Sequence, residues 1–320
     1  MTGQAPFGNE VELSGWRGSL LWRDRARKAS EVLTEQVPAL AHVIRAQPFS
    51  GLDAHFIAHR GHYTHLPKPS LAQIRGVPDS VRPAYLSSLL LWQMDQFEER
   101  FSASGLHPQF APHYIDSFHR IIDQILTKPE QIELSKDSFL KDLWITRVVM
   151  IPALAQVWWP HSGLSLRQLA SGGIDALSYC FLRCGGRRPF LEGHTHDSMV
   201  AQGHWTAQGW SETLRLAALA LSTLRRHRGV FSTAWYFDPE VARISPRLAF
   251  LADLYARSGP HRFRVGTNAA TIANATAKSA TRRRLYAAGS YLPTDYCVVW
   301  GRANLLSAHP APLGALADEK

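Results

Sequence analysis

Apolar residues recur at three- and four-residue spacing through the first third of the chain, and this pattern predicts helices. Tyr85, Leu86, Leu89, Leu90, Met94 and Phe97 form one stripe of a helix over 83–101, punctuated by Gly105 and Pro108. Ile115, Phe118, Ile122 and Ile125 do the same over 112–126, with Pro129 as the stop. The stretch 26–46 also has helical spacing but must break at Pro38, whose ring removes a donor and clashes with the preceding turn. From about Phe139 the texture changes. Residues 143–151 are rich in β-branched side chains and predict a strand, 155–159 predicts another, and 189–191 a short strand entering a turn at Glu192-Gly193. A helix over 210–226 puts Leu214, Ala217, Ala218 and Leu221 on one side, with Gly229 as its stop. A buried strand over 230–237, a helix over 246–256, a strand over 261–265, a helix over 269–288 and a strand over 296–300 follow.

Alternation of helix and strand at these lengths is the pattern of an α/β fold whose sheet is parallel or mixed, with α+β as the other arrangement. The expected organisation is a mainly helical region over 1–130, an α/β region over 131–310 that carries the site, and a frayed tail over 311–320, all within one continuous domain or two. No period of about 20–50 residues repeats, so a solenoid is not expected.

Composition narrows the class. Of 320 residues, 45% are hydrophobic and 19% charged, the balance of a packed globule rather than a disordered chain. Ten tryptophans, fourteen phenylalanines and nine tyrosines call for a large core or a deep pocket. The three cysteines, Cys180, Cys184 and Cys297, are too few for a disulfide framework and read as structural thiols in a reducing compartment. Residues 1–20 show no basic segment followed by an apolar run, and the longest apolar stretch, 214–221, is short and interrupted by Arg215. The expectation is a cytoplasmic protein with no membrane span. A formal charge of +9 admits nucleic acid, anionic lipid or an anionic small molecule as partner. The local runs Arg225-Arg226-His227-Arg228 and Arg282-Arg283-Arg284 lie near helix ends, where cations complement the carbonyl end of the dipole. No nucleic-acid-binding motif accompanies them.

The first candidate chemistry is His194-Thr195-His196-Asp197. In an extended segment, residues i and i+2 project to one side, so His194 and His196 can ligate one divalent transition metal, Fe or Zn, with Asp197 or Glu192 as carboxylate partner. His204 becomes a third ligand or a catalytic imidazole if its loop folds back. Asp238, at the end of the aromatic strand containing Trp235 and Tyr236, is a candidate general base or a turn former, and Ser245 is expected to cap the next helix. Arg247 and Arg283 are candidates to anchor an anionic substrate, with Trp235 lining the pocket. The run His55, His59, His62, His65 contains Gly61 and precedes Pro67, so it cannot persist as a helix and reads as surface histidines. Asp116 and His119, three apart on a helix, read as a solvated face.

The chain contains no Gly-x-Gly-x-x-Gly, no phosphate-binding Walker loop and no Gly-x-Ser-x-Gly elbow. From Trp210 onward the order helix, strand, helix, strand, helix, Gly289-Ser290-Tyr291, strand is similar to the ending of GNAT-type N-acyltransferases. The Arg/Gln-x-x-Gly-x-Gly/Ala loop with which that family holds the cofactor pyrophosphate is missing. Three functions stay open at this point. The first is a metal-assisted enzyme acting on a small anionic substrate. The second, implied by the resemblance, is an acyltransferase using an acyl thioester, with amide donors at the start of the 210–226 helix. The third is a non-catalytic nucleic-acid-binding protein.

Overall fold

A computed structural model of the chain describes residues 21–59 and 61–310. The expected tail over 311–320 and the region read for a leader over 1–20 lie outside the described residues. The chain divides after Pro152 into two compact units.

The first unit is helical. Its elements are α1 (Leu21–Gln36), α2 (Leu40–Ala46), α3 (Phe49–Ile57), α4 (Lys68–Arg75), α5 (Arg82–Asp95), α6 (Phe97–Ala103), α7 (Ala111–Thr127) and α8 (Asp137–Thr146), and it ends in the extended pair Ile151–Pro152. Pro38 separates α1 from α2, as its missing N–H requires. Helix α5 is central, buried almost continuously from Ala84 to Leu91. Trp22 of α1 packs on Phe118 of α7 and Phe97 of α6, with ring centroids 5.1 and 6.4 Å apart. Asp53 is the acceptor for two guanidiniums: Arg100 at 2.9 Å and Arg147 in closer contact. Burial lowers the Arg147 pKa to about 10. Of the histidine run, His55 lies within α3, and His59 stacks on Trp144 with centroids 5.2 Å apart. His119 meets Arg25 at 3.0 Å.

The second unit is α/β. Its strands are β1 (Val157–Ser162), β2 (Phe190–His194), β3 (Gly229–Ala234), β4 (His261–Gly266) and β5 (Asp295–Gly301). They lie in the order β1-β2-β3-β5-β4 within a mixed sheet. The β2–β3 pair is parallel, and β1–β2, β3–β5 and β5–β4 are antiparallel. A parallel pair needs a crossover, here α11 (Asp197–Ala201) and the long α12 (Ala207–Thr223). Beside these stand α9 (Leu166–Ser171), α10 (Gly173–Ser178), α13 (Pro239–Ile244), α14 (Phe250–Ser258), α15 (Ala269–Ala277), α16 (Ala280–Ala287) and α17 (Arg302–Ala308). On one face of the sheet Phe190, Phe231, Phe263, Cys297 and Val299 form a core with Leu169 of α9 and Ala176 of α10.

The α/β class expected from the sequence is observed, with corrections to individual elements. The strand expected over 143–151 is not formed: 143–146 close helix α8, because Leu140, Leu143 and Trp144 supply a buried helical stripe that outweighs β-branched propensity, and the chain is extended only from Ile151. Glu192-Gly193 is not a turn but the middle of β2, paired on both sides. Gly229 does not end the preceding helix, which stops at Thr223; it opens β3 opposite Gly301. The helix expected over 269–288 breaks at Lys278, where Ser279 caps a new helix by accepting from the Arg282 amide at 3.2 Å. The 83–101 helix is likewise two, α5 and α6. The strand over 230–237 gives way at Trp235 to a short 3-10 turn.

At Gly229 an added Cβ would lie 2.0 Å from the Trp300 carbonyl oxygen of the paired strand. Backbone cannot yield as a flexible side chain can, so Gly229→Ala is expected to cost about 1–3 kcal/mol, measured as a lowered urea midpoint with an unchanged m-value.

Candidate functional site

The topology of the second unit places the carboxyl ends of β2 and β3 side by side, which is where α/β sheets assemble sites. Their pairing ends at Gly193–Ser232, while β3 runs on to Ala234. Polar groups bind the two strand ends together. Ser232 Oγ donates to the Gly193 carbonyl at 2.8 Å and accepts from Gln156 Nε2 at 3.1 Å. Gly193 has no side chain because Gln156 Oε1 would sit 2.5 Å from its Cβ. Beyond the last pair, the Thr195 and Tyr236 hydroxyls share a hydrogen bond of 3.1 Å. Burial, as the larger effect, raises the Tyr236 pKa, against its bond to Thr195.

Strand alternation puts Glu192 and His194 on the same sheet face as Phe190 and Phe231. The Glu192 carboxylate accepts from Ser162 Oγ, and His194 Nε2 lies 3.7 Å from Glu192 Oε1. His194 and His196, expected from the sequence to share a side, have different partners. His194 is the last residue of β2, whereas His196 is 3% exposed and serves as the cap of α11, its Nδ1 accepting from the Ser198 amide at 3.2 Å and meeting Ser198 Oγ at 2.6 Å. The ligand atom beside His194 in this unit is therefore that of Glu192. Asp197 faces outward and pairs with Lys278 at 3.0 Å. His204 is half-buried in the loop before α12; its carbonyl lies where a side chain on Gly209 would project, 2.1 Å from that Cβ.

The remaining candidates regroup. Trp235, in the turn after β3, carries a guanidinium 4.2 Å above its ring centroid, and this is Arg282 rather than Arg283 or Arg247. Arg282 is 2% exposed, donating to Ser245 Oγ at 2.8 Å and to the Ala275 carbonyl at 2.5 Å. Arg283 is exposed and donates to the last carbonyls of α15, Thr276 and Ala277, at 2.8 and 2.9 Å. Arg247 is exposed as well. Asp238 is the N-cap of α13, accepting from the Glu240 amide at 3.0 Å. Burial raises its pKa more than that bond and the Arg262 and Arg264 charges lower it. Tyr291 lies in the field of Asp238 and Arg282; its buried hydroxyl has no hydrogen-bond partner among the described residues. Trp235, Asp238, Ser245, Arg282 and Tyr291 are thus one partly satisfied polar cluster beside the strand ends.

Sequence reasoning weighed Glu192 only as an auxiliary to a metal, chose Arg283 rather than Arg282 from the arginine triplet, and gave Tyr291 no role. An acid inside an otherwise apolar strand, and a serine three residues before Arg282, were the signals available. The three cysteines are free. Burial pushes the thiol of Cys180 up to about 11 and that of Cys184 up to about 12, and that of Cys297 higher still.

No family model matches the sequence, and no curated protein matches it either. Among solved structures, the chain is similar to one described as an acyltransferase in complex with decanoyl-CoA and teicoplanin. The identity is 11% and the TM-score 0.48, over 84% of this chain and 80% of that one. A likeness at that level carries no weight on function.

Two outcomes follow from the burial pattern. Arg282→Ala removes two hydrogen bonds and a cation–π contact from a buried site, and should cost on the order of 2–4 kcal/mol. Arg283→Ala should stay within about 0.5 kcal/mol in the same denaturation series. The thiols, held neutral by burial, should not react with Ellman's reagent at about pH 8 until the protein unfolds. Their contribution to stability is complete below the ordinary thiol value of 9 and falls as pH rises through 11 to 12, where the unfolded chain has already released its protons. Equilibrium denaturation across alkaline pH reads that slope.

Proposed function

We propose that the second unit transfers an acyl group from an acyl thioester to an amine or hydroxyl acceptor. The observation that carries this reading is the parallel β2–β3 pair, whose pairing stops at Gly193–Ser232 while β2 continues into the polar Thr195-His196-Asp197 and β3 into the aromatic turn at Trp235. A thioester arm is narrow, extended and rich in amides, so it suits strand ends whose backbone pairing has stopped. The crossover supports the same reading. Helix α12 is 17 residues long, and Thr206 caps its Gly209 amide. The other first-turn amides and the positive end of the helix dipole suit the phosphates of a thioester carrier. The order of elements from α12 onward is that of the acyltransferase ending noted in the sequence, and the α12 turn takes the place of the missing glycine-rich loop.

In this scheme Glu192 is the general base, with His194 beside it as the proton route to solvent. The acceptor's lone pair attacks the thioester carbonyl, Glu192 takes the acceptor's proton, and the tetrahedral intermediate collapses as the C–S bond breaks. The thiolate leaves and takes up the proton. Ser162, donating to Glu192, holds the carboxylate in its rotamer.

The second reading, a metal-assisted enzyme acting on a small anionic substrate, rests on the same pair. Glu192 and His194 offer one oxygen and one nitrogen, 3.7 Å apart, to a Zn or Fe ion. One experiment separates the two. Purified protein is titrated with short- and long-chain acyl-coenzyme A thioesters and assayed for thiol release with simple amines, alongside metal analysis. Saturable thioester binding, with Glu192→Gln lowering kcat by about 10²–10³-fold and leaving carrier affinity intact, is the expected result. Failure to bind any acyl thioester would overturn the acyl-transfer reading. Stoichiometric metal that disappears in His194→Ala would favour the second.

A further inference from the structure

Five of the eleven exposed large apolar side chains among the described residues fall within 17 consecutive positions, 166–182. They are Leu166 (62% exposed), Ile174 (77%), Leu177 (37%), Phe181 (48%) and Leu182 (81%). The segment comprises α9, α10 and a wider turn, Tyr179–Arg183, closed by the Cys184 amide on the Tyr179 carbonyl at 3.0 Å. Its inward side, Leu169, Ala176 and Cys180, already satisfies the core of the sheet. An element that needs to bury only one face carries polar residues on the other; this one buries Leu169, Ala176 and Cys180 and still exposes leucine, isoleucine and phenylalanine. Apolar residues scattered singly over a surface need no explanation, but five exposed within one short segment of consecutive elements do.

The charge around the group is of one sign. Between 161 and 191 the chain has Arg167, Arg183, Arg187 and Arg188 against the single acid Asp175. Arg167, Arg183 and Arg188 are exposed. Arg228 joins them from the run before β3, donating to the Arg188 carbonyl at 2.6 Å and to the Cys184 carbonyl at 3.2 Å. The run Arg225-Arg226-His227-Arg228 therefore ends beside the segment that carries the apolar group.

We infer that this face docks on an anionic phospholipid surface, with the five apolar side chains entering the headgroup–acyl boundary and the arginines meeting lipid phosphates. Apolar side chains flanked by arginine, on an element lying along the surface, are the composition of an interfacial segment. The attraction to acidic lipid adds to apolar insertion. Two copies of this chain are a poor match for each other here, because a two-fold contact brings the same patch against itself and sets arginine rim against arginine rim. No helix among the described residues is long and apolar enough to cross a membrane, so the contact is with the surface. The inference is independent of the acyl-transfer reading.

The full chain is tested by co-sedimentation with vesicles of phosphatidylcholine alone and of phosphatidylcholine mixed with phosphatidylglycerol. Binding is expected to the mixed vesicles and to weaken with salt. Ile174→Ser with Leu182→Ser, and separately Arg183→Glu with Arg188→Glu, should each lower the partition coefficient roughly tenfold or more while circular dichroism and thermal melting stay as in the wild type. Should the paired apolar variant unfold, Leu182→Ser alone, at the most exposed position, carries the test. No binding to mixed vesicles, equal binding to both kinds, or binding unchanged in the variants would overturn the inference. So would a dimer in sedimentation velocity that Leu182→Ser dissociates, since the face would then be a contact between copies.

Discussion

The second unit depends on one pairing, the parallel alignment of β2 with β3 among antiparallel neighbours. Every other adjacent pair in the unit could be joined by a turn. This one obliges the chain to travel from one end of the sheet to the other, through α11 and α12, before β3 begins. The detour leaves two carboxyl strand ends at one edge with a helix start above them. The pairing is held locally as well as by topology. Gln156, Ser232 and the Gly193 carbonyl form a short hydrogen-bonded chain across it, and the absence of a side chain at Gly193 makes room for that chain. A buried hydroxyl and a buried amide that were not paired with each other would be costly. Here they satisfy each other and specify the register.

The parts of the fold legible in the sequence were those in which one period dominated. Helix α7 is long, striped and followed by Pro129, and it falls where its stripe placed it, while α5 begins at Arg82, beside the expected Pro83, but ends at Asp95, before the expected Phe101. The strands around 230 and 298 were visible as apolar runs between turn residues. Where local preference and tertiary burial disagreed, burial prevailed. The β-branched run Ile145-Thr146 lies at the end of α8 because Leu143 and Trp144 are needed inside the first unit's core. Glu192-Gly193 resembled a turn because a charge and a glycine interrupt the apolar pattern. Both are there for the edge of the site: the glycine clears Gln156, and the acid meets Ser162 and His194. A local rule that fails at a candidate site is the expected kind of failure.

The arginine triplet shows the same limit at the scale of one side chain. Composition alone makes Arg282, Arg283 and Arg284 equivalent. Their difference comes from the cap at Ser279, which restarts the helix after Lys278 and sets its rotation. Successive helical residues lie about 100° apart, so only one of three neighbours can face inward. That residue, Arg282, braces the Ser245 loop and the end of α15 and covers Trp235. Burial lowers its pKa and the Tyr291 phenol lies in its field. The polar cluster that results adjoins the turn after β3, so the rigidity of one side of the proposed cleft depends on a residue chosen by a serine three positions earlier.

The charge of the chain also acquires a location. A net +9 spread evenly would favour any polyanion and specify none. In the second unit the guanidiniums divide by environment. Arg282 is buried and occupied in bracing; Arg283 caps the carbonyls of α15; Arg228 reaches across to Cys184 and Arg188. Arg228, whose hydrogen bonds are spent on carbonyls, keeps its charge but loses freedom, so it holds a fixed positive charge beside the exposed Arg183 and Arg188. A fixed edge next to a fixed apolar surface recognises a partner that presents phosphate and hydrocarbon in that order. The hydrogen bonds that anchor Arg228 are in this sense part of the recognition, because they hold the charge at the boundary where the apolar residues of 166–182 begin.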